Sequence, residues 1–334
     1  MASPSPPSRQ AAITSVGHYL PETRLTNGDL ESMVETSDEW IRTRTGIQER
    51  RILGDDGKAT AFMATEAAQE ALDKRGIGPD AVDLIVVATV TPDMLFPATA
   101  CLVQDSLGAS NAWGFDLSAA CSGFIYALTT GAQFIETGQA ETVLVIGADK
   151  MSSIVDYTDR TTCVLFGDAA GAVVLEADEE AGLHDAVHHA DGEHSDLLRM
   201  QGGGSLHPST HATVDAHMHY LEQEGPKVFK LAVTRMADVC REVLDRTGLD
   251  GDDVDYLVPH QANQRIIDAT AKQLSLSADQ VMVNIDRYGN TTAATIPLCL
   301  YDWEDELERG DDLIVTAFGG GLTWGAGHLT WAYG

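Results

Sequence analysis

The stretch "EALDKRGIGPDAVDLIVVA", residues 70–88, recurs as "EVLDRTGLDGDDVDYLVPH", residues 242–260, in a gapless register 172 residues later. Glu70, Leu72, Asp73, Gly76, Asp80, Val82, Asp83 and Val86 all meet their own residue type in the later copy. Just upstream, Ala64, Ala67, Ala68, Ala71 and Leu72 fall on Met236, Val239, Cys240, Val243 and Leu244. That spacing, i, i+3, i+4, i+7, i+8, is one apolar face of a helix. Gly76 and Gly248 stand where a helix ends on a left-handed residue. The apolar runs that follow, "VDLIVVATV" and "VDYLV", suit strands buried on both faces.

The register continues downstream. Gly138 and "TVLVIGA" lie over Gly310 and "LIVTAFGG", with Gly147 over Gly319. Helix–strand–helix–strand thus occurs twice, and alternating elements with short turns imply parallel, right-handed crossovers. A gapless match over about 80 positions marks an internal duplication. The expected fold is α/β, with two similar halves packed together and a break near Glu176–Gly182. The expected division is a flexible tail over 1–11, a first half over 12–178 and a second over 179–334.

The same offset places Cys121 over Ala293, three residues after Asn290, and His260 over Ala88 at a strand end. Ligands in α/β sheets bind beyond the carboxyl ends of strands. If the halves face each other about a pseudo-twofold axis, Cys121, His260 and Asn290 converge at one centre. Cys121 sits in "DLSAACSGF" (116–124), whose small residues supply little core volume but permit close approach of backbone and substrate. At a helix start the helix field favours the thiolate, so Cys121 is expected to be a nucleophile. Taken singly, a buried Cys is a small hydrophobe, a strand-end His a structural residue and Gly-Asn a turn. The four other cysteines, 101, 163, 240 and 299, sit in ordinary helix or strand patterns.

Composition sets outer bounds. The chain has 334 residues with 44% hydrophobic content, enough for about two domain-sized units. Five scattered cysteines without a CxxC argue for reduced thiols and against a structural zinc site. "MASPSPPSRQ" reads as a loose tail and not a signal peptide, and no apolar run spans a membrane. Acids number 51 against 21 bases, a net charge of −30. Such a surface repels nucleic acid. It also repels itself, and salt relieves that repulsion, which predicts a host with high internal salt. Eight of the eleven histidines fall in 184–219 without a recurring ligand spacing, so that segment is read as a solvated loop and edge strands, with no metal.

Further motifs are "SDEWIRTRTGI" (37–47), "AACSGF" (119–124), "TDRTTCVLFGDAAGA" (158–172), "VPHQANQRII" (258–267), "RYGNTTAATIP" (287–297) and "FGGGLTWG" (318–325). With them the chain, from about Ala12 to Gly334, resembles the β-ketoacyl-acyl-carrier-protein synthase III family. That family comprises the initiating condensing enzymes of type II fatty acid synthesis. The resemblance implies a thiolase-like fold with a layered α-β-α-β-α core. It implies a decarboxylative Claisen condensation of a short acyl-CoA primer with malonyl-acyl-carrier protein. No cofactor is implied, because acyl-CoA is a substrate. A cytoplasmic homodimer is implied.

Carried over by residue, the resemblance makes Cys121 the acylated nucleophile and His260 and Asn290 its partners. The amides of Cys121 and Gly320 form the oxyanion hole. Trp40 and Arg160 hold the CoA adenine, with Arg44 nearby, and Asn263 lies along the pantetheine tunnel. Phe318 lies beside the site, and Phe96 closes the acyl pocket of a partner subunit. Lys230, Arg265 and Lys272 dock the carrier protein, although Gln273 stands where a second Lys is expected. The same residues would serve a condensing enzyme for a secondary metabolite or a long-chain product. A non-catalytic partner subunit would be expected to lack Cys121 or His260, and a Cys-His-Asn peptidase would lack both the duplication and the CoA motifs.

Overall fold

The computed structural model describes residues 9–54 and 57–334. Its helices form where the apolar stripes lie. Thr60–Arg75 buries Ala64, Ala67, Ala68, Ala71 and Leu72 and ends on Gly76 at φ 73°. Gly225–Thr247 buries Met236, Val239, Cys240, Val243 and Leu244 and ends on Gly248 at φ 76°. Each is followed by a short 3₁₀ turn, Pro79–Ala81 or Gly251–Asp253, and then by a strand, Leu84–Ala88 or Tyr256–Pro259. A left-handed residue at the cap lets the chain reverse onto its sheet without a Cβ clash.

Two sheets result. In the first, the strand order is Gln10–Tyr19, Ala169–Asp178, Thr142–Asp149, Leu84–Ala88 and Trp113–Leu117. In the second it is Gly182–Ala190, Thr323–Thr330, Asp312–Gly319 and Tyr256–Pro259. The first four strands of one match the four of the other in order. In each sheet the two duplicated strands pair in parallel and the remaining neighbours pair antiparallel, apart from the parallel Trp113–Leu117 edge. Ala169–Asp178 ends the first sheet and Gly182–Ala190 opens the second.

Between the sheets lie two central helices, Gly123–Glu136 and Thr295–Asp302. Both touch strands of both sheets, while Thr60–Arg75 and Gly225–Thr247 cover the outer faces. The order of layers is therefore α-β-α-β-α. Each central helix is entered through a 3₁₀ turn, Ala120–Ser122 or Thr292–Ala294. Ala120 and Thr292 occupy equivalent places and share a left-handed backbone, φ 47° and 54°. The duplication thus extends to an unfavourable conformation that non-glycine residues rarely adopt.

Two expectations are corrected. The strand Gln10–Tyr19 begins inside the expected 1–11 tail, and Ala11 is buried against the sheet. Pairing with Ala169–Asp178 gives those residues a backbone partner that a tail lacks. Residues 1–8 lie outside the described residues. Cys163, read as part of a regular element, lies in a turn.

Small residues permit the central contacts. A Cβ on Gly147 would stand 2.2 Å from the Ala293 carbonyl oxygen, and one on Gly319 would stand 2.7 Å from the Cys121 nitrogen. Both clashes are with backbone, which cannot rotate away. Gly147→Ala should therefore destabilise the protein by about 1–3 kcal/mol or more, as overpacking does. Thermal unfolding at fixed KCl measures it. An unchanged midpoint would show that the Ala293 loop is not pressed onto its strand.

Candidate active site

The two turns that enter the central helices meet the strand ends at the floor of one cavity of about 980 Å³. Its lining includes Cys121, His260, Asn290, Phe318 and Gly320, and higher up Trp40, Arg44, Arg160, Asn263 and Arg265. The resemblance assigned nine of these residues to catalysis, the oxyanion hole, the acyl pocket or CoA and Arg265 to carrier-protein docking, and the fold brings all ten to the lining of one cavity. Phe96, Lys230 and Lys272 are not among its lining. Phe96 is 83% exposed beside the exposed Leu95 and Met94, and Lys230 and Lys272 lie on the outer surface of their helices.

Backbone geometry fixes Asn290. Its N–H donates to the Leu165 carbonyl at 2.9 Å, and its carbonyl accepts from Gly167 N–H at 3.0 Å. The "VLFGD" stretch is thus the clamp that holds the Asn290 loop. Asn290 Oδ1 accepts from Thr292 N–H at 2.9 Å, which leaves the amide N–H groups to face the site. The Asn290 side chain acts to lower the Cys121 thiol pKa, against its net rise.

His260 ends the buried strand Tyr256–Pro259, and its N–H donates to the Thr316 carbonyl at 2.7 Å. Its Nδ1 lies 2.7 Å from Thr295 Oγ1, and its Nε2 is buried with no hydrogen-bond partner. Burial drives the imidazole pKa down to about 3, so the ring is neutral at physiological pH.

The expectation of a resident thiolate at Cys121 is corrected. The thiol is pushed up to about 12, first by burial and then by the negative charge of Asp149. Cys121 also precedes the helix Gly123–Glu136, lying within a 3₁₀ turn. Asp149 was not singled out from sequence. It is fully buried, and its Oδ1 accepts from Thr89 Oγ1, Val90 N, Thr91 N and Thr91 Oγ1. Its Oδ2 accepts from Ala293 N at 3.3 Å. Burial raises its carboxyl to about 6. It joins the ends of two first-sheet strands to the loop entering the second central helix.

The upper cavity carries the cations. The Arg160 guanidinium lies 5.0 Å from the centre of the Trp40 ring and donates to the Glu35 carbonyl at 2.8 Å. A planar group held between them needs about 3.5 Å on each side, so the pair must part slightly to admit one. Asn263 caps the helix Gln264–Gln273 by accepting from Arg265 N–H and donates to the Arg44 carbonyl. One side-chain N–H is left for a ligand.

Part of the 184–219 reading is also corrected. Leu198, Arg199 and Met200 line the cavity, together with Leu221 and Gln223 of the paired strand Leu221–Gln223. The apolar run "LLRM" was the available signal. Most histidines there have side-chain partners, such as His189 with Glu242, His194 with Asp191 and His219 with Thr213. His184, Asp312 and His328 set potential ligand atoms within 4.8 Å of one another. Those atoms are linked by hydrogen bonds through Thr330 Oγ1 and Asp312 Oδ1.

Comparison with known proteins gives this site a context. Residues 115–192 match the family described as 3-oxoacyl-[acyl-carrier-protein] synthase III, and residues 244–331 match its C-terminal region. A beta-ketoacyl-[acyl-carrier-protein] synthase III of Chlorobaculum tepidum is 57% identical over 327 residues, covering 96% of this chain and 99% of that one. One from Porphyromonas gingivalis is 52% identical over 324 residues, covering 97% of each. The Aquifex aeolicus synthase III structure superposes with a TM-score of 0.89 at 48% identity, over 96% of this chain and 100% of that one. The priming β-ketosynthase of the R1128 polyketide pathway superposes at 0.92 with 33% identity, over 100% and 99%. The match runs over nearly the full length in both sequence and fold, and the chain belongs to the 3-oxoacyl-[acyl-carrier-protein] synthase III family.

Proposed function

We propose that the enzyme primes fatty acid synthesis through an acyl-Cys121 intermediate, with roles set by the geometry of the cavity floor. The carrying observation is the convergence of Cys121, His260 and Asn290 from both halves at the base of one cavity. In the first step the Cys121 sulfur attacks the thioester carbonyl of a short acyl-CoA. The C–S bond to CoA breaks, and the thiol proton ends on the departing CoA sulfur. The amides of Cys121 and Gly320 hold the oxyanion. Splitting the reaction at an acyl-enzyme turns one hard step into two easier ones.

In the second step malonyl-acyl-carrier protein enters the same cavity. Loss of CO₂ leaves the electron pair of the broken C–C bond in an enolate. Its oxygen is held by hydrogen bonds from His260 and Asn290. The enolate carbon attacks the acyl-Cys121 carbonyl, and the sulfur leaves and takes up one proton. The products are 3-oxoacyl-carrier protein, CO₂ and CoA. Electrostatic stabilisation and proximity carry every step, so acyl-CoA is a substrate and the chemistry calls on no cofactor.

Trp40, Arg44, Arg160 and Asn263 are assigned to CoA, since they line the upper cavity with an aromatic face and cations. Phe318 borders the acyl group. Arg265, over the Phe229 ring at the cavity wall, and the exposed Lys230 and Lys272 are assigned to the acidic carrier protein. Met94, Leu95 and Phe96 are exposed apolar surface, and Trp113 is exposed on the edge strand Trp113–Leu117. That surface supports a homodimer in which Phe96 closes the partner's acyl pocket. No helix among the described residues is long and apolar enough to cross a membrane, and a cytoplasmic enzyme in a salt-rich cell is the reading adopted.

Intact-mass spectrometry tests the nucleophile. Incubation with acetyl-CoA should add one acyl group, and Cys121→Ala should take none. A wild-type protein shown to be folded that stays unacylated with acetyl-, isobutyryl- and octanoyl-CoA would overturn the reading.

The raised thiol pKa predicts a sign. The thiolate fraction should grow about tenfold per pH unit through neutrality, so alkylation of Cys121 by iodoacetamide should climb from pH 6 to 9 without levelling. A plateau near pH 7 would show a stabilised thiolate.

The charge balance predicts that the unfolding midpoint rises steeply with KCl up to about 1 M, where the Debye length has fallen to about 3 Å. A midpoint indifferent to KCl would count against the salt-rich host.

A further inference from the structure

His260 has two ring nitrogens and the ring is neutral, so one nitrogen carries a hydrogen and the other a lone pair. Which is which decides what His260 can do. A lone pair on Nε2 can only accept in the cavity, whereas an Nε2–H can donate to a developing oxyanion.

We infer that the Thr295 hydroxyl donates its hydrogen to His260 Nδ1 and so holds the imidazole as the Nε2–H tautomer, a donor aimed into the cavity beside Asn290. This inference rests on the proposed condensation and adds to it a positioning residue.

Three observations carry it. First, the Thr295 hydroxyl has one hydrogen and two acceptors in reach, His260 Nδ1 at 2.7 Å and the Thr292 carbonyl at 3.2 Å. A length of 2.7 Å is at the short limit for a ring N–H donating to oxygen, which centres nearer 2.9–3.0 Å, and this favours the hydroxyl as donor. The shorter contact takes the hydrogen. Second, Nε2 is the buried atom of this ring without a partner, and His260 lines the cavity. Third, Asn290 is oriented by the same logic. Its Oδ1 is occupied by Thr292 N–H, which turns its amide hydrogens toward the site. Thr292, in the turn entering the second central helix, and Thr295, the first residue of that helix, thus orient the two donors. Two N–H groups then converge where an enolate oxygen forms, and neither has to reorganise during the reaction.

His260 in this form stabilises charge and does not accept the Cys121 proton, consistent with that proton leaving on CoA. The two half-reactions therefore depend on Thr295 unequally. Acylation needs Cys121 and the backbone amides. Decarboxylation needs the Nε2–H.

The first measurement is the tautomer itself, from long-range proton–nitrogen correlation NMR of the ¹⁵N-histidine protein, with the His260 signal assigned by its absence in His260→Ala. Hydrogen on Nε2 is expected, and hydrogen on Nδ1 would overturn the inference. The second is kinetic. Thr295→Val keeps the shape and removes the hydroxyl. Its kcat for condensation should fall about 10- to 100-fold, below the 10²–10³ of outright loss of an oxyanion donor. Single-turnover acylation of Cys121 should stay within about twofold, and Thr295→Ser should restore most of kcat. Equal losses in both half-reactions, or no rescue by serine, would reduce Thr295 to a packing residue. If the valine variant fails to fold, the wild-type tautomer decides alone. A wild-type Cys121 that accepts no acyl group would instead overturn the condensation, whatever the tautomer.

Discussion

The loops that enter the two central helices are pressed directly onto strand ends, and the rest of the site depends on that contact. Gly147 lets the Ala293 carbonyl approach one strand, and Gly319 lets the Cys121 amide approach another. Without those glycines the loops would stand off by at least the width of a methyl group. Asn290 and Cys121 would then no longer share a cavity floor with His260. Backbone contacts of this kind do not adapt by rotamer change, which makes the catalytic geometry rigid.

Burial follows from that packing and sets the electrostatics. Cys121 and His260 are each held in their neutral form by desolvation. Asp149 ties the two halves together by accepting from backbone and hydroxyl donors of the first and from the Ala293 N–H of the second. Its folded pKa of about 6 lies above its ordinary 3.8. Its ionisation therefore opposes folding, and the stability present while it is neutral in both states is lost as pH rises from about 4 to about 6. The donors around it limit that loss while keeping the carboxyl in place.

Charge is distributed by depth. The surface is strongly acidic, whereas the upper cavity gathers Arg44, Arg160, Arg199 and Arg265. An anionic, phosphate-bearing substrate is thus repelled by most of the molecule and attracted at one opening. Salt weakens the distant repulsion more than the contacts inside the cavity, because screening acts over the Debye length and little within a buried site.

Much of this was determined by sequence alone. The duplication at residues 70–88 and 242–260 was legible because helix faces, capping glycines and buried strands leave periodic patterns. It placed Cys121 and Ala293 at matched positions, and the structure matches even their neighbours Ala120 and Thr292 in backbone conformation. Other features were decided by tertiary structure. Asp149 and Thr295 carry no local signature, because each acts through partners about 35 to 145 residues away. The protonation of Cys121 was misread for the same reason. A helix start is visible in sequence, but the desolvation that raises the thiol pKa exists only once both halves have closed over it.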